Sequence, residues 1–480
     1  MIKFFMTNSR RLTLYIALLI GIIVCFFSQG FHHPDEHYST IELMNFFKTG
    51  VAHPQFGWDI LLKIRSTIQP AIYFFFEKVF GLLFIDSPFI KSFFYRLLTF
   101  SLSTYGLYLF CHSRDFFQNI KSEEESHSVF IFILLCWFVP YYFARTSSEN
   151  MSLGFFFLAA SLVFKPKLLI LSGFLFAMSF ATRFQMAIPI GMTFLWLLYQ
   201  NRNRFWKMGL KLIIGLTIGL LFMYFIDSYL YQEWTFTPWN YFRENILKSR
   251  VNEFGVHPWY FYLTKSIEKG AGPIGLILLF SFFIYLIKNP KSYLAWITIP
   301  FWLIHNFIGH KEVRFLQFIY VLTPLMLFEL RQYWFPYLKN TFIRKIFIPL
   351  VLVINCLFLV QVMLSPAYKP IKAYQFLYQN VESKEIFTPQ WKNHPPLNLM
   401  MKYFVKNDLQ LIPKNLDQLL EVKNEPLRIL TSTYYEYSLF LQKGCSLSYS
   451  TYPQWILDFN PFSFRDRSSL WAYWECNISK

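Results

Sequence analysis

The sequence predicts a polytopic α-helical membrane protein that ends in a small α/β domain, and three observations carry that prediction. First, 55% of the 480 residues are hydrophobic and only 15% are charged, with 59 Phe, 30 Tyr and 14 Trp. A single soluble core does not hide so much apolar side chain. Second, the apolar residues fall in discrete runs separated by short basic connections. Third, the pattern changes at Ser365, after which Pro-containing turns alternate with strand-like stretches such as Leu427–Tyr435. The same figures exclude a disordered chain and a small disulfide scaffold. The formal net charge of +17 does not point to nucleic acid, because the cations are spread singly between apolar runs.

The first run, about 12–27, follows Lys3, Arg10 and Arg11 and has bulky Phe26, Phe27 and Phe31 where a signal peptide would need small residues. It reads as an uncleaved first span. Ten more runs follow near 93–110, 128–143, 151–164, 168–182, 186–199, 209–226, 273–287, 293–307, 315–330 and 346–364. With the N-terminus in the cytoplasm, alternate loops carry Arg114/Lys121, Lys165/Lys167, Arg202/Arg204/Lys207, Lys288/Lys291 and Arg331/Lys339/Arg344/Lys345. Each such loop holds at least two basic residues, as the positive-inside rule expects. Several runs are nearer 15 than 20 residues, which implies thin, tilted or partly buried spans.

This topology divides the chain at 364. Residues 1–364 form a membrane module with two long outer loops, 28–92 and 227–270, and residues 365–480 form an extracytoplasmic domain. Of six cysteines, Cys445 and Cys476 alone share a compartment in which a disulfide persists, and two unpaired small hydrophobes are the alternative.

Chemistry-bearing residues gather in the outer segments. His32-His33-Pro34-Asp35-Glu36-His37 follows the first span directly. It suits a helix start, with His33 near the N-cap, Pro34 at the first helical position and two carboxylates against the helix dipole. It also suits a divalent cation held by His33, Asp35 and His37, or a general base at the membrane surface. The second cluster, Gly309-His310-Lys311-Glu312-Val313-Arg314-Phe315-Leu316, gathers three cations on one side if it is helical. Such a group suits a phosphate, while a snorkelling interfacial cluster is the alternative.

The order of short motifs resembles the dolichyl-phosphate-mannose-dependent mannosyltransferases of N-glycan precursors and GPI anchors, members of the GT-C superfamily. The matching pieces are His33-Pro34-Asp35-Glu36; Trp58-Asp59 with Ile64-Arg65-Ser66; Arg145-Thr146 with Ser148-Glu149-Asn150; and Thr182-Arg183-Phe184-Gln185. Asp227-Ser228-Tyr229, Trp239-Asn240-Tyr241-Phe242, His257-Pro258-Trp259-Tyr260-Phe261-Tyr262 and His310-Lys311-Glu312-Val313-Arg314-Phe315-Leu316 continue the series over about the first 330 residues. Asp59 stands where the family commonly has Glu, the tail shows little resemblance, and no ER-retrieval signal is evident. A bacterial polyprenyl-phosphate-mannose enzyme therefore fits as well as a eukaryotic one.

The resemblance implies a GT-C fold of about eleven transmembrane helices and an inverting hexosyltransferase, with mannose as the sugar by family. Its donor is a polyprenyl- or dolichyl-phosphate sugar, and its acceptor a hydroxyl of a glycolipid or lipid-linked glycan. The site then faces the periplasm or lumen of a bacterial inner membrane or an endoplasmic reticulum membrane. Such a transfer needs a base for the acceptor hydroxyl and cations for the departing phosphate. Asp35 suits the base, with Glu36 orienting it or the acceptor. Lys311 and Arg314 suit the phosphate, assisted by His310. Arg65, Arg145, Arg183, Asp227 and Glu312 are weaker candidates for substrate contacts, with snorkelling to head groups as the alternative for the arginines. His257, Trp259 and Tyr260 suit a sugar-stacking wall or an amphipathic loop helix resting on the bilayer. No Gly-rich nucleotide fingerprint follows a strand, and neither cofactor nor metal is expected. A lipid or solute transporter is the main alternative class, and a protein-O-mannosyltransferase-like enzyme the alternative within transferases. Charges collected at one face, rather than at the membrane midplane, argue against a carrier.

Overall fold

The computed structural model describes residues 10–50, 58–200, 202–382, 385–390, 401–406, 409–416, 419 and 427–476. All eleven apolar runs fall on helices. The principal helices are α1 (Arg10–Phe27), α2 (Ile68–Leu82), α3 (Pro88–His112), α4 (Glu123–Leu134), α5 (Ser148–Leu162), α6 (Leu169–Thr182) and α7 (Ala187–Gln200). They continue as α8 (Arg202–Leu230), α9 (Phe261–Lys269), α10 (Pro273–Lys288), α11 (Tyr293–Phe307), α12 (Gln317–Glu329) and α13 (Ile348–Leu364).

Among the described residues, two helical stretches, Trp206–Leu230 and Ile343–Leu364, are long and apolar enough to cross a bilayer. Two bent pairs, Pro273–Lys288 with Tyr293–Phe307 and Val313–Glu329 with Arg331–Lys339, raise that to four at most. Several other runs fall on shorter or interrupted helices, and the run at 128–143 breaks between Leu134 and the helix Phe138–Phe143, whereas α3 is an unbroken helix of 25 residues. Segment 28–92, expected as a long outer loop, contains α2, a helix with Phe74, Phe75 and Phe76 in sequence. Its one interior carboxylate, Glu77, is neutralised by Lys48 at 2.8 Å and Lys91 at 3.0 Å, with Tyr95 donating at 2.7 Å. A charge that deep persists because it is paired and hydrogen-bonded.

Small residues set the closest helix packing. A Cβ on Gly173 of α6 would lie 2.0 Å from the Leu212 carbonyl, and one on Gly215 of α8 would lie 1.9 Å from the Ile170 carbonyl. The two backbones therefore touch at both glycines, the approach that small residues permit between apolar helices. Elsewhere aromatic rings fill the interior, with Phe116 stacked on Tyr293 at 4.0 Å and Phe110 on Phe157 at 5.1 Å.

The chain forms two compact units. The first runs through Ser365, apart from a short stretch that includes Asp86–Ile90. The second gathers Asp86–Ile90 with Pro366–Lys480. In that second unit, strands β1 (Glu385–Gln390), β2 (Gln410–Asn415), β3 (Leu427–Thr431), β4 (Ser446–Ser450) and β5 (Ala472–Cys476) form one sheet in the order β2-β1-β3-β5-β4. The first three strands are parallel, whereas β5 runs antiparallel to both β3 and β4. The strand read as Leu427–Tyr435 stops at Thr431, because Thr433 caps a helix, Tyr434–Gln442, in a capping box with Glu436.

Cys445 and Cys476 are bonded across the β4–β5 edge, with their Cα atoms 4.4 Å apart. Closing a 31-residue separation restricts the unfolded chain by about 3–4 kcal/mol. Cys445→Ser is therefore expected to lower the thermal midpoint of this unit, and thiol alkylation of the parent without reductant is expected to leave both sulfurs unmodified. Modification of both in folded protein would contradict the bond.

Candidate active site

The local sequence builds the first half of the site at the end of α1. His33 is extended (φ −135°), and its Nδ1 accepts a hydrogen bond from the Asp35 amide at 3.3 Å, with Pro34 at the first helical position. The helix-start reading is correct, and it coexists with a charged site. The bond to the amide leaves the His33 proton on Nε2, which faces a Glu312 carboxylate oxygen at 3.3 Å.

Adjacent side chains on this turn point in different directions. Asp35 Oδ2 receives Arg65 Nη2 at 3.0 Å and Arg314 Nη2 at 2.9 Å. Its Oδ1 lies 3.7 Å from His33 Nδ1, beyond hydrogen-bond range. Glu36 turns inward and accepts from the His32 amide at 2.8 Å and from the Thr146 amide at 2.8 Å. It is buried and fixes the loop rather than meeting Asp35.

The second half comes from the connection between α11 and α12. Arg314 sits on a 3-10 turn, Val313–Leu316, and is nearly buried. Its Nε donates to Glu312 Oε2 at 2.6 Å, and its Nη2 donates to Glu312 Oε1 at 3.1 Å, a two-point fork. Arg314 Nη1 lies 3.4 Å from Glu149 Oε1, and that same oxygen lies 2.9 Å from Arg183 Nη2. Three carboxylates, Asp35, Glu149 and Glu312, thus interlock with three guanidiniums, Arg65, Arg183 and Arg314.

Electrostatics follow from this arrangement. Burial works to raise the Asp35 pKa, but the charges of Arg314 and Arg65 outweigh it and hold the carboxyl well below its usual range. Burial likewise opposes ionisation of Glu312, yet the hydrogen bond and charge of Arg314, with His33 and His310, bring it to about 2. His33 is pushed down by burial and then by Arg314, so it is neutral at pH 7. Arg314 is itself raised, because the three carboxylates outweigh its burial.

Several expected roles change. His310, Lys311 and Arg314 do not line one helical side, because residues 308–312 are not helical. Lys311 is buried and its ammonium donates to the carbonyls of Ile308 at 2.7 Å and His257 at 3.0 Å, so it binds the loop and not an open phosphate site. His310 bridges the Gly255 carbonyl at 3.1 Å and Glu312 at 3.0 Å. Arg145 is buried rather than snorkelling: it donates to the Ser28 carbonyl at 2.5 Å and lies 4.8 Å from the centre of the Tyr141 ring. Asp227 accepts from the Thr67 amide at 2.6 Å, Ser66 at 3.1 Å and Thr237 at 2.6 Å, which joins α8 to the start of α2. His257 stacks on Phe261 at 4.4 Å, whereas Trp259 is exposed. The metal reading of His33, Asp35 and His37 does not assemble, because His37 is buried against Glu42 at 3.0 Å. The side chains of Trp58 and Asp59 lie outside the described residues.

Among the described residues, a cavity of about 310 Å³ is lined by Glu149, Arg183 and Arg314 with Phe301, His305 and Phe318, and further openings lie nearby. A cleft of about 540 Å³ is lined by Asp35, Glu36, Arg65, Ser148, Glu149, Arg183, Gln185 and Tyr241. An apolar groove of about 670 Å³ is lined by Trp137, Phe138, Tyr142, Tyr262, Leu278, Phe282, Trp302, Val313 and Leu316, with Lys265 and Lys269 among its polar residues. Val313 and Leu316 bracket Arg314 in sequence. Glu149 is the participant without an assigned role in the sequence reading, although Ser148-Glu149-Asn150 marks it as part of a motif.

A helical membrane fold with this constellation defines a GT-C type protein, and the comparisons agree. Residues 12–399 match the Alg9-like mannosyltransferase family, and the chain belongs to it. Similar proteins include Mannosyltransferase APTG1 of Arabidopsis thaliana, 25% identical over 64% of this chain and 56% of that protein. GPI alpha-1,2-mannosyltransferase 3 of Homo sapiens is 25% identical over 70% of this chain and 61% of its own length. The alignments thus span less than two thirds of these relatives. The fold resembles ArnT from Cupriavidus metallidurans bound to undecaprenyl phosphate, with a TM-score of 0.55 at 11% identity over 98% of each chain.

Proposed function

We propose that this chain is an inverting glycosyltransferase that moves mannose, or a similar hexose, from a polyprenyl-phosphate donor to a hydroxyl of a glycolipid or lipid-linked glycan. The observation that carries the proposal is the Asp35 carboxylate, ionised and lining a cleft, with one oxygen on two guanidiniums and the other without a hydrogen bond. The acceptor hydroxyl approaches Oδ1 from the cleft. Its oxygen bonds to the anomeric carbon while the bond from that carbon to the phosphate oxygen breaks. The hydroxyl proton passes to Asp35, and the lipid phosphate leaves with both bonding electrons. Arg314 and Arg65 turn from Asp35 toward that phosphate, which weakens their hold on the carboxylate and raises its basicity as charge develops on the leaving group. The apolar groove suits an isoprenoid tail, and the structural relative ArnT is one bound to undecaprenyl phosphate. Glu149 and Glu312 position the arginines.

The test is transfer by purified protein from polyprenyl-phosphate-mannose to a lipid-extract acceptor, together with glycolipid profiles of cells with and without the gene. Gain or loss of one hexose on one lipid species is expected. An unchanged profile with no transfer in vitro would refute the assignment.

The site is proposed to face the periplasm or lumen, which the distribution of basic loops supports. Glu253→Cys and Lys291→Cys, both at exposed positions, are then expected to label from opposite sides of sealed vesicles with a membrane-impermeant maleimide. Labelling of both from one side would overturn the orientation.

A further inference from the structure

Away from the carboxylate and arginine network, His112, Glu123 and His127 each present one ligand atom, and these atoms lie within 4.8 Å of one another. His112 ends α3, while Glu123 and His127 are one turn apart at the start of α4. Both imidazoles are oriented by their own helices. His112 Nδ1 meets the Tyr108 carbonyl at 2.7 Å, and His127 Nδ1 meets the Glu123 carbonyl at 2.8 Å. A carbonyl accepts only, so each Nδ1 carries the proton and each Nε2 carries a lone pair. A backbone carbonyl on one ring nitrogen is the arrangement that fixes a histidine as a metal ligand through the other.

The lone pairs are poorly used. His112 Nε2 is buried and has no hydrogen-bond partner. His127 Nε2 has only the Tyr108 hydroxyl at 3.4 Å. The two rings stand edge to face with centroids 4.6 Å apart. The connection between the helices is held without any ion: Glu329 accepts from the amides of Gln118 at 3.1 Å and Asn119 at 3.2 Å, and Arg114 donates to the Lys121 carbonyl at 3.0 Å. The ligands are therefore presented by a scaffold that stands on its own.

We propose that His112, His127 and Glu123 form a binding site for a divalent cation of the Zn²⁺, Co²⁺ and Ni²⁺ class, clipping the end of α3 to the start of α4. Two imidazoles and one carboxylate match the ligand preference of that class and leave a fourth position for water. Tetrahedral coordination at about 2.0–2.1 Å brings ligand atoms to about 3.3 Å from one another. Glu123 is exposed, so its side chain is free to turn toward the two imidazoles. On the topology proposed above the site faces the cytoplasm, across the membrane from Asp35.

The test uses the full chain in detergent, stripped with chelator and titrated with Co²⁺, reading the visible absorption of the bound ion, then displacing it with Zn²⁺. One equivalent is expected to bind. The His112→Gln/His127→Gln double variant is expected to bind at least about tenfold more weakly, with a metal-free thermal midpoint equal to the parent's. Should the double variant not fold, Glu123→Gln at its exposed position is expected to weaken Co²⁺ binding by about tenfold and to alter its spectrum. Binding equal to the parent in the folded variants would overturn the proposal. So would loss of the ion in His33→Ala, which would place it in the other cluster.

Discussion

Replacing Asp35 by Asn is expected to lower single-turnover transfer by about 10²–10⁴-fold, the loss typical of a missing general base. The amide keeps the shape of the carboxyl but accepts a proton poorly. The effect on donor binding has the opposite sign. Asp35 now occupies one face of both Arg65 and Arg314 through Oδ2, so a donor phosphate competes with it for the same guanidiniums. Removing its charge leaves those cations freer, and affinity for the lipid-phosphate sugar is expected to hold or to tighten. A purely structural motif would instead lose folded yield and binding together. The measurement is donor binding and single-turnover transfer on protein of matched thermal midpoint. Transfer at near wild-type rate would remove Asp35 from the mechanism. Glu36 would not inherit its role, because its carboxylate is engaged by the His32 and Thr146 amides.

The sequence reveals what depends on pattern and conceals what depends on three-dimensional pairing. Apolar periodicity and basic loops place most of the long helices, since burial in lipid or protein requires uninterrupted apolar stretches. The same reading does not register the break at 135–137 or the bends between paired helices. It also misses α2, whose Glu77 lowers the apolar signal although Lys48 and Lys91 neutralise it in the fold.

At the site, a motif lists charges without their partners. Arg145, Arg183 and Arg314 look alike in sequence, yet Arg145 is consumed by Ser28, whereas Arg314 meets three carboxylates drawn from 35, 149 and 312. Lys311 reads as a free cation next to Arg314, but a non-helical loop points its ammonium at carbonyl oxygens. Assuming a helix over 309–314 is what placed it on the wrong side. Asp227 shows the same limit: its motif is visible, but only the fold reveals that its oxygens bind Ser66, Thr67 and Thr237.

Arg314→Ala is expected to produce the largest combined loss. The substitution leaves Asp35, Glu149 and Glu312 with Arg65 and Arg183 alone, so negative charge is exposed to itself in a half-buried network. Breaking a buried pair by removing one partner typically costs about 3–5 kcal/mol. Donor affinity is expected to fall as well, because a charge-assisted contact to the phosphate is lost in both ground and transition states. Arg314→Lys keeps the charge but not the fork to Glu312, and should recover part of the stability while transfer remains slow.

The pH dependence separates an electrostatic role from simple packing. In the parent, Glu312 has its pKa held near 2, so the stability it contributes is fully present above the ordinary carboxylate range and is lost as pH falls toward 2. The same sign applies to Asp35, which Arg314 also holds low. In the Ala variant both carboxyls move back up and protonate sooner, which relieves their repulsion. The gap in thermal midpoint between parent and variant is therefore expected to narrow from pH 7 to pH 4 and to narrow further below it. A gap that stays constant over that range would mean that Arg314 acts through its packed volume, and the phosphate role assigned to it would lose its electrostatic basis.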